Sequence, residues 1–149
     1  MINYKHTQIG NLIITVSVIL IIYFWFIFRK VGFNSEFIIA VILIIFITAS
    51  FSTLTVTINE EHLKIKFGYG IFRKSYLLKD IASVKTVKNH WYYGWGIRYW
   101  VPTRMWVYNV SGFDAVEIQM RNGRIKRIGT DEPRKLEQAI QQVINQKTH

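Results

Sequence analysis

The chain has 149 residues, of which 50% are hydrophobic and 19% are charged, and its formal net charge is +10. The aromatic share of 15% excludes an intrinsically disordered chain, and the absence of Cys excludes a disulfide scaffold, thiol catalysis and Cys-ligated zinc. A mean hydropathy of +0.17 combined with a pI ≈ 9.9 is unusual for one uniform soluble domain. These values indicate one very apolar segment and one very basic segment.

The densest runs of apolar residues are two uncharged stretches near the beginning of the chain, Ile9 to Phe28 and Phe37 to Leu54. Each has close to the ~20 residues that a helix needs to cross a ~30 Å hydrocarbon core. A cleaved signal peptide has a shorter apolar region and a small-residue cleavage site, whereas the first stretch is followed directly by Arg29-Lys30. Two core helices this apolar on every face would need a larger protein around them. The sequence therefore predicts two membrane spans.

The linker between the two stretches, Arg29 to Glu36, is short, so the spans form an antiparallel hairpin and both flanking segments lie on one side of the membrane. The linker offers Arg29 and Lys30, whereas the other side offers the amino terminus, Lys5, Lys64, Lys66 and Arg73. Because positive charge is enriched on the cytoplasmic side, this count predicts a multi-pass protein of the cytoplasmic (inner) membrane with a cytoplasmic C-terminal region.

From Leu54 onward the hydrophobic period changes to two, which is typical of half-buried strands. Seven strands are predicted, at residues 54–58, 63–67, 71–78, 81–88, 106–110, 115–120 and 125–129. The dipeptide Asn122-Gly123 is the strongest hairpin signal in the chain. The pattern predicts a run of antiparallel strands.

A second change of period follows Thr130-Asp131-Glu132-Pro133, which has the composition of a helix start. The apolar stripe of the predicted helix is Leu136, Ala139, Ile140, Val143 and Ile144. The predicted organisation is a two-span transmembrane hairpin at residues 1–54 and a mainly-β domain at residues 55–149. That domain would be a bent antiparallel sheet or partly open barrel of about seven strands, capped by a C-terminal helix.

Several short motifs of this region resemble those of the bacterial pleckstrin-homology-like (PH-like) domains: Gly94 to Arg98, Tyr108 to Gly112, Ala115-Val116, Asn122 to Arg124, Ile128 to Pro133 and Leu136 to Ile140. The resemblance covers roughly Thr53 to the end, and it implies a PH-like fold and a membrane setting but no reaction. Phosphoinositide-binding relatives use basic residues around the first hairpin loop. That loop here is the acidic Asn59-Glu60-Glu61-His62, so those site residues are not carried over.

Catalytic constellations are not visible in the sequence. The four His are scattered, with no pair at metal-ligand spacing, and there is no Gly-rich phosphate loop or nucleophile elbow. Helix capping accounts for the adjacent acids Asp131 and Glu132. We therefore expect no enzyme activity, no metal and no cofactor.

The segment from His90 to Trp106 holds four of the five Trp of the chain. One interpretation is a loop that contacts the membrane interface or a protein partner. The other is a structural turn in which Trp95 fills the barrel mouth and Arg98 binds carbonyl groups. The candidate contact residues are Trp91, Tyr92, Tyr93, Trp95, Arg98, Trp100 and Arg104.

Positive charge dominates the region after the second span, where 16 Lys or Arg stand against 8 Asp or Glu. Beside an anionic leaflet each nearby cation contributes up to ~1 kcal/mol, which would orient a domain that is already tethered. Nucleic-acid binding and a merely solvated polar face are the competing interpretations. The predicted basic face consists of Lys64, Lys66, Arg73, Lys74, Arg124, Lys126 and Arg127.

The resulting hypothesis is a membrane-anchored PH-like binding or assembly module without catalysis. Its expected partners are anionic lipid, a membrane protein or further copies of the chain, and nucleic acid is not expected. The alternative is an accessory subunit of a membrane enzyme or transporter complex. Two spans without an intramembrane acid, base or His disfavour an ion path.

Overall fold

The structure, a computed structural model, describes residues 2–32 and 34–146, without the side chains of residues 2 and 3. The last three residues of the predicted β domain lie outside this range. The described part contains three α-helices: α1 (Asn11–Val31), α2 (Ser35–Ser50) and α3 (Pro133–Gln146). It also contains nine strands: β1 (Ile2–Ile9), β2 (Thr53–Asn59), β3 (His62–Phe67), β4 (Arg73–Leu77), β5 (Ile81–Lys88), β6 (Gly96–Trp100), β7 (Met105–Asn109), β8 (Asp114–Met120) and β9 (Ile125–Gly129).

The strands form two sheets. Sheet A is antiparallel with the order β1-β2-β3-β4, and sheet B has the order β5-β8-β9-β7-β6. No strand pairing joins the two sheets within the described residues, so the predicted barrel is not closed. Strands β1 and β6 were absent from the sequence prediction, because β1 has mostly polar residues and β6 lies in the aromatic segment.

The expectation of a purely antiparallel arrangement is wrong at one pair, since β7 and β9 are parallel. Strand β9 folds back from the Asn122-Gly123 turn and lies between β8 and β7. The β7–β8 connection must therefore pass over the width of β9. Asn109 holds that connection, because its side chain accepts from Ser111 N and donates to Gly112 O.

The hydrophobic core lies between the two sheets and α3. Alternate residues of β2 and β3 are buried, for example Val56 and Ile65, and they face Ile118 and Ile128 of sheet B. Helix α3 covers the side of the sandwich next to β1, β5 and β8. Its predicted stripe is confirmed at Leu136, Ile140 and Val143, all of which are buried, while Ala139 and Ile144 are partly buried against the same core.

The helix pair α1–α2 is inserted at the β1–β2 turn of sheet A. Ile9, the last residue of β1, pairs with Thr53, the first residue of β2, and Gly10 N donates to Ser52 O at 2.7 Å. The sequence analysis placed the segment before the helices outside the β domain. In the structure this segment is β1, which forms an edge of sheet A. The second apolar helix ends at Ser50 rather than Leu54, because the chain from Thr53 onward pairs as β2.

The two helices differ in length. Helix α1 has 21 residues and is long and apolar enough to span a membrane, whereas α2 has 16 residues and is shorter. At 1.5 Å per residue these lengths are roughly 31 Å and 24 Å. None of the described α1 side chains is buried, and in α2 only Ser50 is.

Candidate functional site

The outer face of sheet A, the side turned away from the core, is basic. Strand alternation places Lys5, Lys64, Lys66 and Arg73 on this face, and all four are exposed. They lie in two cross-strand rows. One row is Lys5, Thr57, Lys64 and Ser75, and the other is Thr7, Thr55, Lys66 and Arg73.

No acid opposes these cations within sheet A, because the four strands contain no Asp or Glu. The face bears a groove of about 540 Å³ that is lined by the lysines of both rows together with threonine hydroxyls. Ammonium, guanidinium and hydroxyl groups are the donors that bind phosphate oxygens. The arrangement is therefore suited to an anionic surface. Sequence reasoning found Lys64, Lys66 and Arg73 but treated Lys5 only as part of a tail.

The row containing Lys66 and Arg73 lies close to the helix pair. The positions Thr7 and Thr55 of that row are two residues from Ile9 and Thr53, where the chain passes between sheet and helices. Two residues of strand span roughly 7 Å, which is within a Debye length at physiological salt. The alkyl chain of Lys66 also lies against Gly70, in the turn that contacts α2.

The β3–β4 turn, Gly68 to Phe72, contacts the end of the helix pair. The Tyr69 ring stacks on Phe46 of α2 at 6.4 Å between centroids, and Phe72 stacks on Phe51 at 4.9 Å. Tyr69 is 70% exposed despite this contact. The apolar surface of the helices therefore continues onto the turn. The predicted strands 63–67 and 71–78 leave a turn between them, but its contact with the helices was not predicted, although the large side chains of Tyr69, Ile71 and Phe72 were the available signal.

The aromatic segment covers the outer face of sheet B. Tyr93 lies with its ring 5.3 Å from the Arg127 guanidinium, and its centroid is 5.3 Å from that of Trp100. Tyr92 packs on the same tryptophan at 5.5 Å. The segment between β5 and β6 therefore folds over the outer face of sheet B.

Other residues of this segment have mixed positions. Trp91 is 76% exposed, whereas Trp95 is half-buried and its indole nitrogen has no partner among the described residues. Arg98 is exposed, and its Nε donates to the Trp95 carbonyl at 3.4 Å. Arg104 is exposed in the β6–β7 turn with a φ of 49°. The membrane or partner contact of the segment stays a prediction.

Beneath Tyr93, three charged side chains form a row across sheet B. Arg127 binds Glu117 at 2.7 Å, and Lys85 binds the other carboxylate oxygen at 3.1 Å. Burial alone would raise the pKa of Glu117, but hydrogen bonds and charge from Arg127 and Lys85 outweigh it, so the net pKa is lowered. Arg127 is thus engaged in the fold of sheet B.

The three basic residues predicted around the Asn122-Gly123 turn do not share one surface. Arg124 is exposed at the turn, Arg127 lies on the outer face of sheet B, and Lys126 is buried on the inner side. Alternation places Lys74 on the opposite side of β4 from Arg73, but Lys74 is exposed and borders the groove of the basic face. The basic face therefore lacks Arg124, Lys126 and Arg127, has Lys74 at its edge and includes Lys5.

Comparisons with protein-family models, with curated proteins and with solved structures return no match to this chain. Within the described residues, no group of three or more His, Asp or Glu is placed to hold a metal ion. The geometry of the basic face and the helix pair is the basis for the functional proposal.

Proposed function

We propose that the chain is a membrane-anchored binding module whose basic sheet face rests on anionic lipid headgroups. The observation that carries this proposal is the acid-free outer face of sheet A, which begins where the chain leaves the helix pair. Both helices would be inserted in the bilayer, and the tether would keep the face at the headgroup surface. Each cation near such a surface contributes up to ~1 kcal/mol, so four of them are enough to orient the domain.

The surface of the helix pair supports membrane insertion. Large apolar side chains are exposed along both helices, for example Ile19 and Trp25 on α1 and Ile42 and Phe46 on α2. A pair of helices with apolar side chains on all faces needs an apolar surrounding. Removal of α1 as part of a signal peptide would also remove β1 and leave the edge of β2 unpaired.

The apolar part of the helix pair is slightly shorter than a bilayer core, and residues of the adjacent turn would extend its apolar length. The apolar part of α1 before Arg29 and the whole of α2 are both roughly 25 Å long, slightly less than a ~30 Å hydrocarbon core. Tyr69 and Phe72, which contact the base of α2, would extend the apolar surface at that end. Aromatic rings at this depth are typical of membrane interfaces.

The sidedness of the proposal follows from positive charge. At the linker end of the helix pair the cations are Arg29 and Lys30. The domain end carries the whole basic face and most of the remaining cations. We therefore place the β domain at the cytoplasmic leaflet, which carries anionic lipid. The PH-like classification is likewise proposed from the two sheets and the C-terminal helix, with the parallel β7–β9 pair as a departure from an all-antiparallel arrangement.

The test uses the full chain in lipid vesicles. Since the chain has no Cys, a Ser75→Cys change allows a dye to be attached beside the basic face, and energy transfer to an acceptor lipid reports its distance from the membrane. Transfer should be higher with anionic than with neutral lipid, and salt should reduce the difference. Changing Lys5, Lys64, Lys66 and Arg73 together to Gln should abolish it.

The matched control changes four other exposed cations to Gln, at Lys79, Lys88, Arg121 and Arg134. This variant has the same net charge as the first but keeps the face intact, so it should retain the lipid-dependent transfer. Equal transfer in anionic and neutral vesicles would overturn the lipid proposal. Efficient crosslinking between copies through Cys at position 75, independent of the lipid used, would instead identify this face as an assembly surface.

A further inference from the structure

Lys126 is a nearly buried cation that lacks a carboxylate partner. It is 6% exposed, and its ammonium lies 5.3 Å from the centre of the Tyr76 ring and 5.7 Å from that of Trp106. Among the residues that the structure describes, no carboxylate lies within ion-pair distance of this ammonium. Aromatic rings attract a cation, but they do not neutralise its charge.

The neighbouring phenols do not supply a negative charge either. The hydroxyls of Tyr76 and Tyr108 are hydrogen-bonded at 2.5 Å. Burial raises the pKa of both phenols above their ordinary value, so they are neutral at physiological pH. Lys126 therefore faces two neutral rings.

Two further cations act on Lys126. Burial lowers the pKa of its ammonium, and the charges of Arg124 and Lys74 lower it further. Like charges held together near a desolvated group cost free energy unless an anion joins them. A group whose pKa is perturbed by burial and by specific neighbouring charges, and which borders a cavity, is a candidate functional residue.

Two adjacent cavities lie beside these cations. The smaller, of about 270 Å³, is lined in part by Lys126, Arg124, Tyr76 and Ser75, and Asp80 also borders it. The larger, of about 770 Å³, is lined by Tyr99, Arg104, Trp106, Asn122, Gly123 and Arg124. Arg124 and Asn122 border both cavities and so connect them.

The larger cavity also has a strained residue at its rim. Arg104 has a φ of 49°, the one positive φ of a non-glycine residue in the described part of the chain. Strained backbone of this kind is concentrated at ligand-binding positions. Arg104 and Arg124 therefore add two guanidinium groups to the same side of the sandwich.

We propose that Lys126 and Arg124 form a binding site for a phosphate-type oxyanion carried by a small molecule. The oxyanion would occupy the smaller cavity, where an ammonium and a guanidinium supply charged donors. The organic part would extend into the larger cavity against Tyr99 and Trp106. This site lies on the opposite side of β4 from the basic face of sheet A, and Ser75 borders both.

The ligand of this site is assigned to solution rather than to the bilayer. Tyr76 and Leu77 are at the end of β4 that pairs with His62 and Leu63, whereas the helices join sheet A at Ile9 and Thr53, the opposite end. Seven residues of β2 separate these ends, a distance of roughly 20 Å. A headgroup of the anchoring membrane is therefore the less favoured source of the oxyanion.

The test titrates inorganic phosphate into the full chain in nanodiscs of neutral phosphatidylcholine, by calorimetry at constant ionic strength. Saturable binding is expected for the unmodified chain. Lys126→Met should weaken it at least tenfold, and Arg124→Gln, at an exposed position, should weaken it without affecting the fold. Lys79→Met removes an exposed charge outside both cavities and should leave the affinity unchanged.

Non-saturable heat, or an equal loss in the Lys79→Met control, would overturn the proposal because it would indicate general charge attraction. Unchanged affinity in Arg124→Gln and Lys126→Met would also overturn it. A second arm follows the NMR signal of the Lys126 ε-methylene group in nanodiscs with anionic phosphatidylglycerol and no phosphate. An unchanged signal supports a soluble ligand, whereas a shift would assign the site to lipid headgroups.

Discussion

Arg127 and Glu117 form a 2.7 Å ion pair between directly opposed positions of β9 and β8, on the side of sheet B that the Tyr93 ring covers. Both side chains are largely shielded from water, and Lys85 of β5 extends the row on the other side. The pair connects the central strand of sheet B to the aromatic segment. Removal of the carboxylate would leave a shielded guanidinium without its partner.

We predict that Glu117→Gln destabilises the β domain by about 1–3 kcal/mol, because breaking a shielded ion pair leaves one charge uncompensated. Glu61→Gln makes the same chemical change at an exposed turn and should have little effect. Thermal unfolding of the full chain in mild detergent, followed by near-ultraviolet circular dichroism, measures both. Equal stability of the two variants would contradict the role given to Glu117.

The pH dependence of stability should change in the same variant. Since the pKa of Glu117 is lowered in the folded state, its contribution is fully present above the unfolded-state pKa of about 4.3 and is lost as the pH falls through the folded value. Glu117→Gln removes this contribution and should give a flatter decline in stability between about pH 5 and pH 3. Parallel declines for both proteins would show that Glu117 does not titrate as assigned.

Tyr93 and Trp91 should respond differently to truncation. Tyr93→Leu removes the ring that lies over Arg127 and packs on Trp100, so the segment 89–95 should exchange its amide hydrogens faster. Trp91→Leu changes a side chain that is 76% exposed and should leave exchange in that segment nearly unchanged. Hydrogen exchange measured by mass spectrometry makes the comparison. Similar protection in both variants would mean that Tyr93 does not hold the segment.

Gly68 joins the β3–β4 turn to the end of α2. A Cβ at this position would lie 2.5 Å from the Ser50 carbonyl oxygen, and the φ of Gly68 is +42°. Gly68→Ala should therefore destabilise the contact between turn and helix more than Gly123→Ala, whose φ is also positive but whose Cβ meets nothing within 4 Å. The midpoint of thermal unfolding should fall further for Gly68→Ala. Equal shifts would contradict the close packing of the turn on α2.

The insertion of the helix pair in the β1–β2 turn allows a direct test of the fold. Replacing residues 10–52 by Asn-Gly would join Ile9 to Thr53 through a two-residue hairpin turn without changing their register. This chain should give a β-rich circular dichroism spectrum and a cooperative unfolding transition. A chain that begins at Thr53 lacks β1 and should be less stable, because it exposes the edge of β2 and loses the contact of β1 with α3. Equal stability would make β1 dispensable.

Local patterns predicted most of the secondary structure, because strands β2 and β3 alternate strictly, β8 alternates from Val116 onward and α3 has a regular apolar stripe. These local patterns did not predict the topology of sheet B. The position of β9 depends on contacts between segments that are distant in sequence, such as that between Asn109 and Gly129. Strand β1 was missed for a related reason. Its inner positions are Tyr4, His6 and Gln8, which do not form an apolar alternation.

The candidate site was predictable only in part. Lys64 and Lys66 share one face by simple alternation, so their grouping followed from local sequence. Lys5 joins them only because the helix pair returns the chain to sheet A. Lys126 and Arg127 are sequence neighbours on opposite sides of sheet B. Only the structure reveals that Arg127 is paired with a carboxylate and that, among the described residues, Lys126 is not.

In the proposed arrangement the helix pair spans a bilayer with the basic face of sheet A at its surface. Electron paramagnetic resonance on single-Cys nitroxide variants of the full chain in vesicles tests it most directly, with labels at Ile19, Ile42, Tyr69 and Lys79. We expect high oxygen and low nickel-reagent accessibility at Ile19 and Ile42, intermediate values at Tyr69 and full nickel accessibility at Lys79. Nickel accessibility at Ile19 and Ile42 equal to that at Lys79 would contradict it.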